Sequence, residues 1–248
     1  MLPRSSRRYE TYRETDSLRR RLRRIVGVLL LFFLVYEAVT TVLLSSVEQE
    51  SIAMEPTISE GDRLFALPLV YGPRIRLFGW VLPGIRPPVR GDIVAVRPPY
   101  MPRPGWAGRL ADPIVRFVTL GNRRVGDGRT WESSVQVKRI VGVPGDTIQI
   151  ERFVAYVQPS GEREFVSEFA LTSAEYQLQI DERPAGWEAL DPFGAAAEAV
   201  TLADGEYFVL TDNRSAGLDS RHWGVVTHEH IIAKLSYRFR PLSRFGRP

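Results

Sequence analysis

The chain has 248 residues, a formal net charge of +4 and no cysteine. That length supports one or two domains with a sizeable core. The lack of cysteine excludes a disulfide scaffold, a thiol nucleophile and thiolate-ligated zinc or iron–sulfur sites.

The charge is unevenly placed. Residues 1–24 hold nine arginines against Glu10, Glu14 and Asp16, a net of +6, so the remainder carries −2. The basic balance therefore describes an N-terminal tail, expected to be mobile, with room for a short interfacial helix from Ser17 to Arg24. An arginine run beside an apolar segment reads as a cytoplasmic membrane flank rather than a nucleic-acid surface, and no nucleic-acid partner is expected.

Ile25 to Leu44 is apolar except for Tyr36, Glu37, Thr40 and Thr41. About 20 such residues span a ~30 Å hydrocarbon core. A cleavable leader would have a shorter apolar region and a small-x-small exit, so residues 25–46 are expected to be a retained anchor. The flanking arginines put the N-terminus in the cytoplasm and the main domain outside. Glu37, near mid-helix, is expected to be neutral or paired.

Beyond the anchor the sequence turns to short strands and turns. Asp62–Leu67, Arg90–Pro99, Ser134–Val143, Thr147–Ile150, Arg152–Val157, Tyr207–Leu210 and Ile231–Phe239 read as strands. Alternation in the third puts Val135, Val137, Arg139 and Val141 on one face, with Gln136, Lys138, Ile140 and Gly142 on the other. Few segments outside the anchor show a helical period. Two stretches look inserted. Residues 73–89 carry Phe78, Trp80 and Leu82 among prolines and arginines, and suit either headgroup contact or a packed loop. Residues 158–205 are acidic and turn-rich. The expected fold is mainly β, a single transmembrane helix followed by an external, antiparallel domain of residues 47–157 and 206–248, with a β insert over 158–205.

Three stretches carry chemistry. The first, Ser51-Ile52-Ala53-Met54-Glu55-Pro56-Thr57, follows the anchor. The second is Lys138-Arg139-Ile140-Val141-Gly142-Val143-Pro144-Gly145-Asp146. An inward-pointing strand lysine loses hydration, which lowers its pKa and lets its amine take a proton from a hydroxyl; equally, a lysine beside an arginine suits a solvated face. The third runs from Thr211 to Gly224 and contains Asp212-Asn213-Arg214 and Asp219-Ser220-Arg221, whose turn-forming side chains and opposite charges can brace a loop. His222, His228 and His230 lack a third ligand or acidic cluster and are expected to be packing or surface residues.

In this order and spacing, the three stretches resemble the motifs of bacterial type I signal peptidases. The first is similar to Ser-x-Ser-Met-x-Pro-Thr, the second to Lys-Arg-x-x-Gly-x-Pro-Gly-Asp, and the third to Gly-Asp-Asn-Arg-x-x-Ser-x-Asp-Ser-Arg-x-x-Gly. Gly61-Asp62 and Tyr71-Gly72 match as well. The resemblance implies that Lys138 is the general base and that Ser51 donates to the oxyanion. Ala53 takes the nucleophile's position. Met54, Pro56, Arg139, Asp146, Asp212, Asn213, Arg214, Gly217, Asp219, Ser220 and Arg221 are implied to support the site. It also implies signal-peptide hydrolysis at the cytoplasmic membrane of a bacterium, with no metal or organic cofactor, on exported preproteins whose small side chains at −1 and −3 fit shallow pockets. Implied partners are signal peptides, the bilayer, and an active paralogue or the secretion machinery.

The chain departs from the pattern at Ala53, at Gly217, where the family has a serine that bonds the lysine amine, and at Thr211, where it has glycine. Two lost hydroxyls around one lysine point to drift toward a non-catalytic protein. A working endopeptidase and a signal-peptide-binding pseudoprotease both stay open. A self-cleaving regulator of the same Ser–Lys type is argued against by the anchor. In an extended strand Ser51 would lie roughly 6–7 Å from the nucleophile's position, too far to replace it, and Ser215 is a weak substitute for the hydroxyl missing at 217. Cleavage restored by Ala53→Ser alone would show that the rest of the site is intact, and cleavage that needs Gly217→Ser as well would support drift.

Overall fold

A computed structural model describes residues 6–75, 80–101, 105–119, 135–172, 175–180 and 197–248. The chain opens with helix α1 (Ser6–Ala38), which is helical well before the expected start at Ser17. Its apolar part, Leu18–Leu43, contains an 18-residue window with a mean hydropathy of 2.3, and only 6% of that window is buried inside the protein. Length and composition suit it to cross a bilayer. A wider π-turn at Val39–Leu43 ends it, and the Leu44 amide closes on the Val39 carbonyl at 3.0 Å. The chain leaves this turn directly into strand β1 (Ser45–Glu48).

The strands then follow in order as β2 (Arg63–Leu67), β3 (Arg74–Ile75), β4 (Trp80–Val81), β5 (Ile93–Val96), β6 (Gln136–Gly142), β7 (Thr147–Glu151), β8 (Val154–Gln158), β9 (Val166–Ser167), β10 (Ala197–Thr201), β11 (Glu206–Leu210), β12 (Val226–Thr227) and β13 (Ile231–Arg240). Seven build the main sheet in the order β1-β2-β13-β5-β6-β11-β12; β10-β7-β8-β9 form a second sheet, and β3 and β4 a small hairpin. All named strand pairs are antiparallel. The mainly β expectation holds. Gln158, where the insert was expected to begin, is the last residue of β8, and the second sheet takes in β7 and β8 as well as later residues.

Three differences from the sequence reading have local causes. Arg152 and Phe153 are turn residues at positive φ (49° and 69°), so β8 begins only at Val154. A helix α2 (Trp106–Val118) stands where no helical period was read: Leu110, Ala111, Ile114 and Val118 do recur at helical spacing, but Pro113 lies inside the run and speaks against a helix. The loop 73–89 forms the β3–β4 hairpin; Phe78 lies outside the described residues, as does the side chain of Trp80, while Leu82 is exposed.

Strand β6 is central and buried from Val137 to Gly142. Val137 joins a core cluster with Met54, Leu64 and Leu235; Ile140 joins one with Tyr71, Val94 and Val209; Val141 joins the core of the second sheet with Ile148 and Leu210. Burial on both faces makes β6 the axis of the domain. Lys138 is carried on it, in register with Val94 of β5.

Candidate active site

The residues of the first motif do not form a strand. Ser51 is extended (φ −149°, ψ 163°) and caps a single 3₁₀ turn, Ile52–Met54. The turn rests on β6 because Met54 is a fully buried core residue. Gln49 fixes the approach: its side-chain amide donates to the Ser51 carbonyl (2.7 Å) and to Ser51 Oγ (3.2 Å), which also accepts weakly from the Ala53 amide (3.4 Å). With both lone pairs engaged, what Ser51 offers the cleft is its O–H. The turn corrects the extended-strand geometry assumed for Ser51. It leaves Ser51 exposed at the rim and Ala53 buried at the floor.

The cleft has a volume of about 380 Å³. Gln49, Ser51, Ala53, Val137, Lys138 and Leu218 are among its lining residues, which also include Gly217 but not Ser215. Lys138, 2% exposed, sits in its wall with Nζ 5.7 Å from the Trp223 ring centroid. Burial pushes its ammonium down, the Asp219 carboxylate pulls it back up and the Arg221 guanidinium lowers it again, leaving a pKa of about 8. A substantial neutral fraction therefore exists near physiological pH, which suits a proton acceptor.

The third motif wraps this lysine. Arg139 and Asp212 form a buried bidentate pair (2.8 and 2.6 Å), to which Thr57 Oγ1 donates at 2.6 Å, and the guanidinium stacks 3.9 Å above Tyr176. The Asn213 amide donates to the Ala53 carbonyl (3.0 Å), tying the loop to the first motif. Arg221 grips Asp219 with Nε and Nη2 (2.9 and 2.8 Å) and donates through Nη1 to the Arg214 carbonyl (2.9 Å). Burial alone would raise Asp219; Arg221 and His222 outweigh it and hold the carboxyl well below the usual carboxylate range. Ser220 Oγ accepts from the Val209 amide (3.0 Å). Asp146 lies farther off, paired with Arg90 and capping the β6–β7 turn through the Val143 amide (2.9 Å). Pro56 follows the 3₁₀ turn and leads into Thr57.

Sequence reasoning missed the supports from outside the motifs. Arg214 is paired with Glu168 (2.6 Å, both 1% exposed), and Tyr176 donates to the same carboxylate. Gln179 exchanges main-chain bonds with the loop: its amide donates to Asp212 O (3.1 Å), and its carbonyl accepts from the Arg214 amide (2.8 Å). All three residues belong to the acidic region read as an insert, and their role was invisible because the motif residues they support, Arg139, Asp212 and Arg214, lie more than 30 positions away. His228 packs against the Tyr71 carbonyl, His230 caps its own turn at Thr227, and no metal cluster occurs among the described residues.

Ala53 and Gly217 meet more closely than the motifs suggest. Gly217 has φ +81°, and a Cβ built on it would lie 2.7 Å from the Ala53 Cβ, 3.3 Å from the Thr211 methyl and 3.7 Å from Lys138 Nζ. Glycine is required here for both conformation and space. A serine restored at 217 would meet this contact directly, because the neighbour is a Cβ fixed to the backbone, not the end of a flexible chain. Gly217→Ser is expected to destabilise the protein by about 2 kcal/mol, counting ~1–2 kcal/mol for the left-handed backbone and the rest for the contact. A thermal midpoint equal to that of the parent would show instead that the loop can retreat from Ala53.

Comparison with known proteins gives the same picture. The family model described as "Signal peptidase, peptidase S26" matches residues 21–240. The probable signal peptidase I-1 of Synechocystis sp. is 26% identical over 196 residues, covering 79% of this chain and 71% of that protein. Signal peptidase IB of Staphylococcus aureus is 32% identical over 109 residues, covering 44% of this chain and 55% of that protein. A crystal structure of a signal peptidase I from Enterococcus faecalis V583 aligns over 62% of this chain and 100% of that one, at 22% identity and a TM-score of 0.31, too low to build on.

Proposed function

Because the chain belongs to the signal peptidase family, peptidase S26, whose work is signal-peptide processing, we propose that its cleft receives the signal peptides of exported preproteins and holds them without cutting. The observation that carries this reading is Ala53: a methyl group stands at the cleft floor where the hydroxyl nucleophile belongs. The α1 anchor and its arginine flank support a single-pass placement in the bacterial cytoplasmic membrane, N-terminus inside and the β domain outside. An extended peptide would bond through its main chain along the cleft rim, with small side chains entering the shallow pockets.

In a serine-bearing member the hydroxyl oxygen attacks the scissile carbonyl carbon. Its proton passes to the neutral lysine amine, the lysine returns that proton to the leaving amine, and water later releases the acyl group. Here the lowered pKa of Lys138 supports its reading as the proton acceptor and the O–H of Ser51 at the cleft supports its reading as the oxyanion donor, but position 53 supplies no atom that can form the bond. The braced loop serves equally for binding, since it sets the shape of the cleft.

The test is a preprotein assay on the full chain in detergent or liposomes. The protein should bind a labelled signal peptide with alanine at −1 and −3 and release no cleaved product. Ala53→Ser should cleave that substrate, with a rate that rises with pH and reaches half its plateau near pH 8, where Lys138 loses its proton. Cleavage by the unaltered chain, abolished by Lys138→Met, would overturn the binding-only reading. Failure to bind signal peptides at all would overturn the substrate assignment.

A further inference from the structure

Helix α2 is not explained by the cleft. Its Phe117 ring packs edge-on against Phe33 (5.4 Å, 88°) and Tyr36 (5.5 Å, 68°), and Tyr36 donates to the Arg116 carbonyl at 3.2 Å. Both partners belong to the apolar part of α1. At 1.5 Å per residue they lie roughly 10 and 15 Å back from Leu43 along the helix. The covered side of α1 is a stripe: Phe33, Tyr36, Glu37 and Thr40 are half-buried, while Phe32, Leu34, Val35 and Val39 remain open. The stripe follows the helical repeat, and α2 contributes to its cover through the contacts of Phe117 and Arg116.

The far side of α2 is apolar and open. Ile114 and Val118, one turn apart, are 57% and 74% exposed, beside an anchor whose uncovered residues are also apolar. Arg116, by contrast, is 8% exposed, turned in toward protein, which is the direction charged side chains take in a bilayer. We propose that α2 is a second membrane-inserted element: it enters the outer-leaflet hydrocarbon alongside the anchor, with Phe117 against α1 and with Ile114 and Val118 against acyl chains. The occupant of this face is lipid because the face continues the uncovered surface of the anchor at the same level. The domain is then held to the bilayer at two places, and β6, which carries Lys138, is the next described strand after α2.

This inference rests on the membrane placement of α1, and the experiment separates the two. The chain has no cysteine, so single cysteines at Ile114, Val118, Leu30 on the anchor and Glu60 on the β domain can each carry an environment-sensitive fluorophore. All four positions are exposed, so the substitutions leave the core intact. In liposomes containing acyl-chain-brominated lipid, the labels at 30, 114 and 118 should be quenched several-fold more than the label at 60, which only aqueous iodide should reach. Lipid quenching at 30 with iodide quenching at 114 and 118 would overturn the insertion of α2 and leave the anchor standing. Iodide access at 30 as well would overturn the membrane placement itself.

Discussion

Asp212→Leu should lower the stability of the folded domain by about 3–5 kcal/mol, the usual cost of stranding one member of a buried ion pair. Arg139 is 3% exposed and Asp212 fully buried, and the pair is bidentate. Without the carboxylate, the guanidinium keeps only its bond to the Gly91 carbonyl (3.1 Å), a long one to Thr57 (3.4 Å) and its stacking on Tyr176. For a domain of this size the loss corresponds to a fall of roughly 10 °C in the thermal midpoint. Asp212→Asn, which keeps the shape and one acceptor, should fall between. Arg139→Met combined with Asp212→Leu should recover most of the loss, because a packed apolar pair avoids the desolvation penalty altogether. A single replacement costing under about 1 kcal/mol would mean that solvent reaches the pair and that it does not organise the loop.

Lys138→Met should have the opposite effect, stabilising the protein near neutral pH by ~3 kcal/mol. The folded-state pKa of about 8 lies below the 10.5 of an ordinary lysine, and a pKa difference of one is worth about 1.4 kcal/mol. Below pH 8 both folded and unfolded chains carry the proton, so the folded state bears the full cost of burying the ammonium. Between pH 8 and 10.5 the unfolded chain holds the proton and the folded chain does not, so stability rises with pH. The advantage of methionine should therefore be full at pH 7 and shrink through this window, as read from denaturant midpoints of both proteins at pH 7 and 9.5. A difference that stays constant with pH would show that Lys138 is solvated and its amine ordinary. A lysine so buried costs its fold stability and keeps an amine that is partly neutral near physiological pH.

Much of this arrangement was legible in the sequence because the motif residues contact one another or the neighbouring strands. The limits expected for β2, β6, β11 and β13 shift by a residue or two, β5 is shorter at both ends than the expected Arg90–Pro99, and β1 and β12, too short or too polar to stand out, were not read. Lys138 on a buried strand and the Asp-Asn-Arg and Asp-Ser-Arg loop were visible for the same reason. What could not be read was set at a distance. Thr57 looked like a motif ending and proved to be a hydrogen-bond partner of Asp212, 155 positions away. The 3₁₀ turn at Ile52–Met54 replaced the extended strand because Met54 is drawn into the core. Helix α2 escaped for a local reason, Pro113 inside its run. The steric contact of Ala53 with position 217 is a three-dimensional fact with no signature in either segment.

The ties between the cleft loop and the second sheet bear on motion. Asn213 and Arg214 are held by main-chain bonds to Ala53 and Gln179, and by the Glu168 ion pair. To loosen, the loop must break its ties to Glu168 and Gln179 as well as its own turn. Amides at 213 and 214 would exchange with solvent only through that larger opening, at the free energy of the cooperative unit rather than of a surface turn. The region read as an insert thus contributes to the rigidity of the loop beside the cleft.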